Sequence, residues 1–109
     1  MVRTMKITIS EALRRHLEHR NKRNIVVEVA SADHSDIEVT EIFLRTCDYS
    51  HRDYLKEKKG YREYPIEGIP QNHMAVLIKP YRLEFEPEVT FDLTKKWLFN
   101  KIVYTGIKL

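Results

Sequence analysis

Cys47 is the single cysteine of the chain; Asp48 and His51 follow it closely, and His34 stands upstream. Thiolate and imidazole suit zinc or iron, so Cys47 and His34, joined by His51 or Asp48, are the candidate metal ligands. Structural zinc, however, asks for four such donors at short paired spacings, and no paired spacing occurs. A packed thiol and a turn histidine account for the same residues. As a nucleophile, Cys47 would need a lowered pKa and a base within hydrogen-bond reach, and His51 is the nearest base in the sequence. The chain has no glycine-rich phosphate loop, no Gly-x-Ser-x-Gly elbow and no His-Glu-x-x-His pair. Enzymes built on those motifs are set aside, no catalytic residue is assigned, and a non-enzymatic protein is expected.

Charge offers the other route to function. Arg14, Arg15, Arg20, Lys22 and Arg23 crowd around Glu18, enough to raise the local potential toward phosphate or an acidic protein surface. Lys56, Lys58, Lys59 and Arg62 interleave with Tyr54, Tyr61 and Tyr64, a mixture able to stack bases, although Asp53, Glu57 and Glu63 dilute it. Glu84, Glu86, Glu88 and Asp92 form an opposite, acidic group. This polarity favours a charged partner or self-association. Trp97, Leu98 and Phe99 are three bulky apolar neighbours, of which a strand buries only alternate members in one core, so part of that group is free to touch another chain. With 19 Lys and Arg against 16 Asp and Glu, the formal charge of +3 permits an acidic partner, nucleic acid included, without demanding one.

These residues must be carried by a single domain, because 109 residues enclose one core. Ser10 reads as the N-cap of an amphipathic helix over 10–21, with Glu11 at its positive end and Arg20, Lys22 and Arg23 at its negative end. Ala12, Leu13, His16 and Leu17 form its apolar stripe, which makes His16 a core or boundary residue. The β-branched run Ile25–Ala30 predicts a strand, Ser31–Asp36 a turn, and Ile37–Leu44 the return of a hairpin. From 46 to 72 the periodicity fails, predicting a long irregular insert with at most a short helix over Asp53–Lys59. His73–Lys79 is nearly continuous in apolar residues and predicts a central strand covered on both faces. Further strands are expected at Val89–Leu93 and Lys101–Thr105, with a turn or bulge at Lys95-Lys96. The sum is an α+β fold: one N-terminal helix on a mixed, mostly antiparallel sheet.

Particular phrases carry a family likeness. Met5-Lys6-Ile7-Thr8-Ile9-Ser10-Glu11-Ala12, Ile25-Val26-Val27-Glu28-Val29, Met74-Ala75-Val76-Leu77-Ile78, Val89-Thr90-Phe91-Asp92-Leu93 and the closing Ile102-Val103-Tyr104-Thr105-Gly106-Ile107-Lys108-Leu109 are spread along the whole chain. In that order the chain resembles the HesB-like family of A-type iron–sulfur cluster carriers and its small CC/Se-motif relatives. The resemblance implies a HesB-like topology. It also implies a trio of cluster cysteines, one in the loop after the long strand and a Cys-x-Cys near the C-terminus. This sequence has His34 near the first of those positions, ends at Leu109 near the others, and keeps Cys47 in a different loop. No iron–sulfur cluster is therefore expected, and a ligand-stripped binding or interaction module is the leading reading. Two alternatives are a metal or iron–sulfur accessory protein that completes Cys47 and His34 with ligands from a second subunit, and a basic nucleic-acid-binding module.

One cysteine builds no internal disulfide framework, and neither a signal-peptide-like apolar run in MVRTMKITIS nor a membrane-spanning run of about 18 apolar residues occurs. A cytoplasmic location without membrane insertion is expected, with a protein partner or a second copy of the chain as the binding partner.

Overall fold

The computed structural model of the chain describes residues 5–34, 37–79 and 83–109. The elements run β1 (Lys6–Ile9), α1 (Glu11–Arg20), β2 (Asn24–His34), β3 (Ile37–Cys47), α2 (Tyr49–Lys58), β4 (Arg62–Pro65), β5 (Ala75–Ile78), β6 (Glu84–Lys96) and β7 (Phe99–Lys108). They form an α+β fold with two mixed sheets, one ordered β1-β6-β7 and the other β3-β2-β5-β4. In the first, β1 runs parallel to β6 and β6 antiparallel to β7. In the second, β2 runs parallel to β5, while β3 and β4 flank them antiparallel.

Helix α1 starts where its cap dictates, since the Ser10 hydroxyl accepts a hydrogen bond from the Leu13 amide at 3.2 Å. It ends at Asn21, whose left-handed φ of 56° lets the chain turn back while its amide reaches the last-turn carbonyls. Leu13 and Leu17 are its fully covered residues, each worth roughly 1.5–3 kcal/mol relative to exposure. They meet Ile7, Ile25, Val27, Val76, Ile78, Val89 and Phe91, so the helix and both sheets share one core.

The period of two explains why β5 is apolar throughout. Val76 and Ile78 face that core, whereas Leu77, with Val26 of β2, packs on the opposite face against Cys47, Leu55 and Tyr61. Helix α2 is the cover on that second face.

Several sequence expectations change here. The segment 46–72 is not one irregular insert: it holds α2 and β4, and the fold has two helices rather than a single N-terminal one. Helix α2 begins four residues before Asp53 because the Asp48 carboxylate caps it, accepting from the His51 amide at 3.0 Å. Its buried face is only Arg52 and Leu55, too sparse to register as hydrophobic periodicity. The hairpin expected to turn over 31–36 keeps its ladder to the His34–Ile37 pair, cross-strand pairing having overridden the turn preference of Ser31 and Asp33. At the β6–β7 connection the turn is Trp97-Leu98, closed by the Lys96–Phe99 pair, and not Lys95-Lys96. Pro87 lies where the register shifts between Phe85 and Thr90, consistent with its missing donor. Gly106, at φ +88°, fits against this irregularity; a Cβ there would strike the Glu88 carbonyl oxygen.

Candidate functional site

Among the described residues β3 ends one sheet and β7 ends the other, so each leaves one strand edge unpaired. A cleft of about 800 Å³ lies between them, with α1 along its side. Its apolar lining comes from Ile42 and Leu44 of β3 and Ile102 and Tyr104 of β7, side chains that are half-buried against the main core. Arg20, Lys22, Arg45 and Lys101 bring cations to it and His16 an imidazole, while Glu41 is the one carboxylate among the described lining residues. Arg45 forms an ion pair with Glu28 at 3.3 Å, and hydrogen bonding with Tyr61 raises its pKa further above the ordinary guanidinium value, so it stays charged. Among the described residues, Arg20 and Lys22 have no carboxylate within 4 Å. The cleft therefore presents positive charge beside apolar surface and next to two strand edges that have no partner strand among the described residues.

A smaller, polar recess of about 380 Å³ adjoins it through the shared Lys22, Arg45 and Thr46, and Cys47, Asp48, Ser50 and His51 complete its wall. Cys47 is buried, and that burial pushes its thiol pKa up, the reverse of what a nucleophile or thiolate ligand requires. Asp48 is held below the usual carboxylate range, first by the His51 amide it caps and then by the Ser50 hydroxyl at 2.9 Å. Its carboxylate is thus committed to the helix. The His51 ring lies 5.2 Å from the ring of Tyr54. Among the described residues no group of three or more His, Cys, Asp or Glu side chains is arranged to hold a metal.

The candidate metal pair does not meet within one subunit. Cys47 pairs with Asn24 at one end of the β2–β3 hairpin and His34 pairs with Ile37 at the other. Ten residues of strand at ~3.3 Å each put about 33 Å between them. The backbone of His34 belongs to β2, while its side chain lies outside the described ones.

The basic cluster is divided as well. Arg20 and Lys22 reach the cleft. Arg14 pairs with Glu18 at 3.4 Å and Arg15 with Glu11 at 3.2 Å, both one helical turn away on α1. Arg23 is half-buried, its Nε shielded from solvent without a hydrogen-bond partner among the described residues. His16, expected at the core boundary, is half-buried and lines the cleft. Arg45 and Lys101 escaped the sequence reading because each is a lone cation in a strand; only the approach of the two sheets puts them on the border of the same cleft as Arg20 and Lys22. In the second basic group, Lys56 is tied to Glu63 at 2.8 Å and Tyr61 is buried against Cys47 and Leu55. Its tyrosines therefore do not make a common stacking surface.

Neither the protein-family models nor the curated proteins contain a match to this chain.

Proposed function

We propose that this protein is a non-enzymatic binding module, and that its ligand is an extended, acidic and partly apolar segment of a protein partner seated in the cleft between β3 and β7. The observation that carries this reading is the cleft at two sheet-edge strands, with Ile42, Leu44, Ile102 and Tyr104 as its apolar lining and Arg20, Lys22, Arg45 and Lys101 along its borders. An extended peptide adds to a strand edge through its backbone, and alternating carboxylates and aliphatic side chains would satisfy the rim and the floor in turn. The burial of Cys47, which raises its thiol pKa, and the engagement of the Asp48 carboxylate as a helix cap support the non-enzymatic character, because the thiol is held protonated and the carboxylate is already committed.

A HesB-like topology without cluster ligands remains the family reading. Its support is the strand-then-helix opening of β1 and α1, the long β2, and the late strands β5, β6 and β7, which match the order of the phrases that carry the resemblance. A lone, buried thiol suits a reducing compartment, and we place the protein in the cytoplasm on that ground.

The test is a fluorescein-labelled peptide of alternating leucine and glutamate, followed by anisotropy. Binding should weaken with salt and fall by more than about tenfold in Arg20→Glu/Lys22→Glu, where charge complementarity becomes repulsion. Arg14→Gln/Arg15→Gln, which lies outside the cleft, should bind like the parent. Equal binding by both double variants removes the proposal. Tighter binding of a single-stranded oligonucleotide, with a steeper salt slope, would replace it with the nucleic-acid reading.

A further inference from the structure

The β6–β7 hairpin ends in three apolar side chains that the fold does not use. Trp97, Leu98 and Phe99 are 88%, 91% and 75% exposed. Trp97 and Leu98 form a two-residue turn, Phe99 belongs to the Lys96–Phe99 pair that closes it, and Trp97 stands at φ +59°. Glycine is the residue favoured at a first turn position of that sign, because a Cβ there is crowded by the backbone. The chain thus spends both its turn preference and its exposed apolar surface at one point. Neither choice stabilises the folded state, and local rules broken without a folding gain mark functional positions.

Charge is sorted along the same hairpin. Past Asp92 toward the tip the sequence has Lys95 and Lys96 on one strand and Lys101 on the other, and no acidic residue up to Leu109. Glu84, Glu86 and Glu88 lie at the opposite end of β6, where Lys108 approaches Glu86 at 3.7 Å. About 30 Å of strand separates Glu86 from Lys95 at ~3.3 Å per residue. The hairpin is therefore a charge dipole, cationic behind its apolar tip and acidic at its base, and a negatively charged plane would draw it in tip first.

We infer that the Trp97-Leu98-Phe99 tip is a membrane-docking hairpin, inserting shallowly into the interfacial region of an anionic bilayer while Lys95 and Lys101 contact the lipid headgroups. Tryptophan prefers that depth, because its ring is apolar and its N–H finds a polar partner there. A narrow turn whose flanking backbone is already paired across the hairpin brings few unsatisfied amides into the interface. Three side chains on a turn are far smaller than the roughly 800 Å² per partner of a stable protein interface. An apolar tip backed by cations instead supplies the two signals that reversible membrane attachment needs. Among the described residues no helix is long and apolar enough to cross a membrane, and surface attachment needs none.

Trp97 is the only tryptophan, so its emission reports the tip directly. The protein is mixed with phosphatidylcholine vesicles containing roughly one-third phosphatidylserine, and with phosphatidylcholine alone. The expected result is a blue shift on the anionic vesicles, with quenching by lipids brominated near the headgroup. Lys95→Gln/Lys101→Gln should weaken binding by more than about tenfold. Leu98→Asp/Phe99→Asp should abolish the shift with an unchanged circular dichroism spectrum; if that variant fails to fold, depth-dependent quenching of the parent protein still decides. Emission indifferent to both vesicle types overturns the inference. So does a lipid-free blue shift that grows with protein concentration alongside dimer sedimentation, which would give the tip to a second copy of the chain.

Discussion

The Asn24 side chain accepts a hydrogen bond from the Ala75 amide at 3.2 Å, and these two residues form the first rung of the β2–β5 ladder. From its other end the same carboxamide reaches the Asp48 carbonyl at 3.5 Å, at the cap of α2. Asn24 is fully buried, so one polar side chain joins the central strands to the helix behind them.

Asn24→Ala strands the buried Ala75 amide without its side-chain acceptor. The expected loss is about 1–3 kcal/mol, the desolvation penalty of one unsatisfied group. Urea denaturation measures it: the midpoint should fall with little change in slope. A midpoint equal to the parent's would show that the amide finds another partner.

Local signals made part of this molecule readable. Ser10 and Leu13 set the first helix, and Val26 against Val27 and Leu77 against Ile78 divide cleanly between two packed faces because a strand alternates. What escaped is of longer range. Arg52 buries its stem and guanidinium under α2, so a helix that is polar by composition still has an inward face. The cleft depends on β3 and β7 being sheet edges, a property of strand order that spacing along the chain does not encode. Arg14, Arg15 and Arg23 looked equivalent to Arg20 in sequence, but the 3.6-residue period turns them to other sides of α1 or past its end.

Arg52 and Glu63 form a buried ion pair. Arg52 also donates to the Gln71 carbonyl at 2.9 Å, and Lys56 approaches Glu63 at 2.8 Å from the solvent side. Arg52→Leu leaves the Glu63 carboxylate with Lys56 alone and should cost about 3–5 kcal/mol. Arg52→Leu/Glu63→Leu should recover much of that, because the orphaned charge is gone. A double-mutant cycle by chemical denaturation reads the coupling, and strictly additive losses would deny that the two charges depend on each other.

Glu18 links α1 to the segment before β5 through His73, at 3.0 Å. That hydrogen bond is the first cause of its lowered pKa, with Arg14 adding to it. A carboxyl whose pKa is lower folded than unfolded stabilises the protein above its unfolded value, ordinarily 4.5, and loses that contribution as pH falls through the folded value. Glu18→Gln should therefore lower the melting temperature somewhat above 4.5, where the carboxylate contributes, and flatten the decline on the acid side, so that parent and variant converge at low pH. His73→Gln should do the same in part. An acid limb identical in parent and Glu18→Gln would mean that the pairing contributes nothing in solution.

The buried Cys47 thiol makes the opposite prediction at the alkaline end. Its pKa is raised, first by burial and then by the nearby Asp48 carboxylate. The unfolded chain releases this proton near the ordinary value of 9.0 whereas the folded chain holds it, so stability is complete below that pH and declines as pH rises through the folded pKa. Cys47→Ala should lessen the alkaline decline. It should also reduce stability at neutral pH, because Val26, Leu55, Tyr61 and Leu77 lose a packing partner. In the parent, iodoacetamide should alkylate Cys47 more slowly at pH 8 than it alkylates the urea-unfolded chain, since little thiolate is present and the sulfur is covered. Mass spectrometry of timed samples follows the reaction. Alkylation of the folded protein as fast as of the unfolded chain would show an accessible, activated thiol and reopen Cys47 as a reactive group.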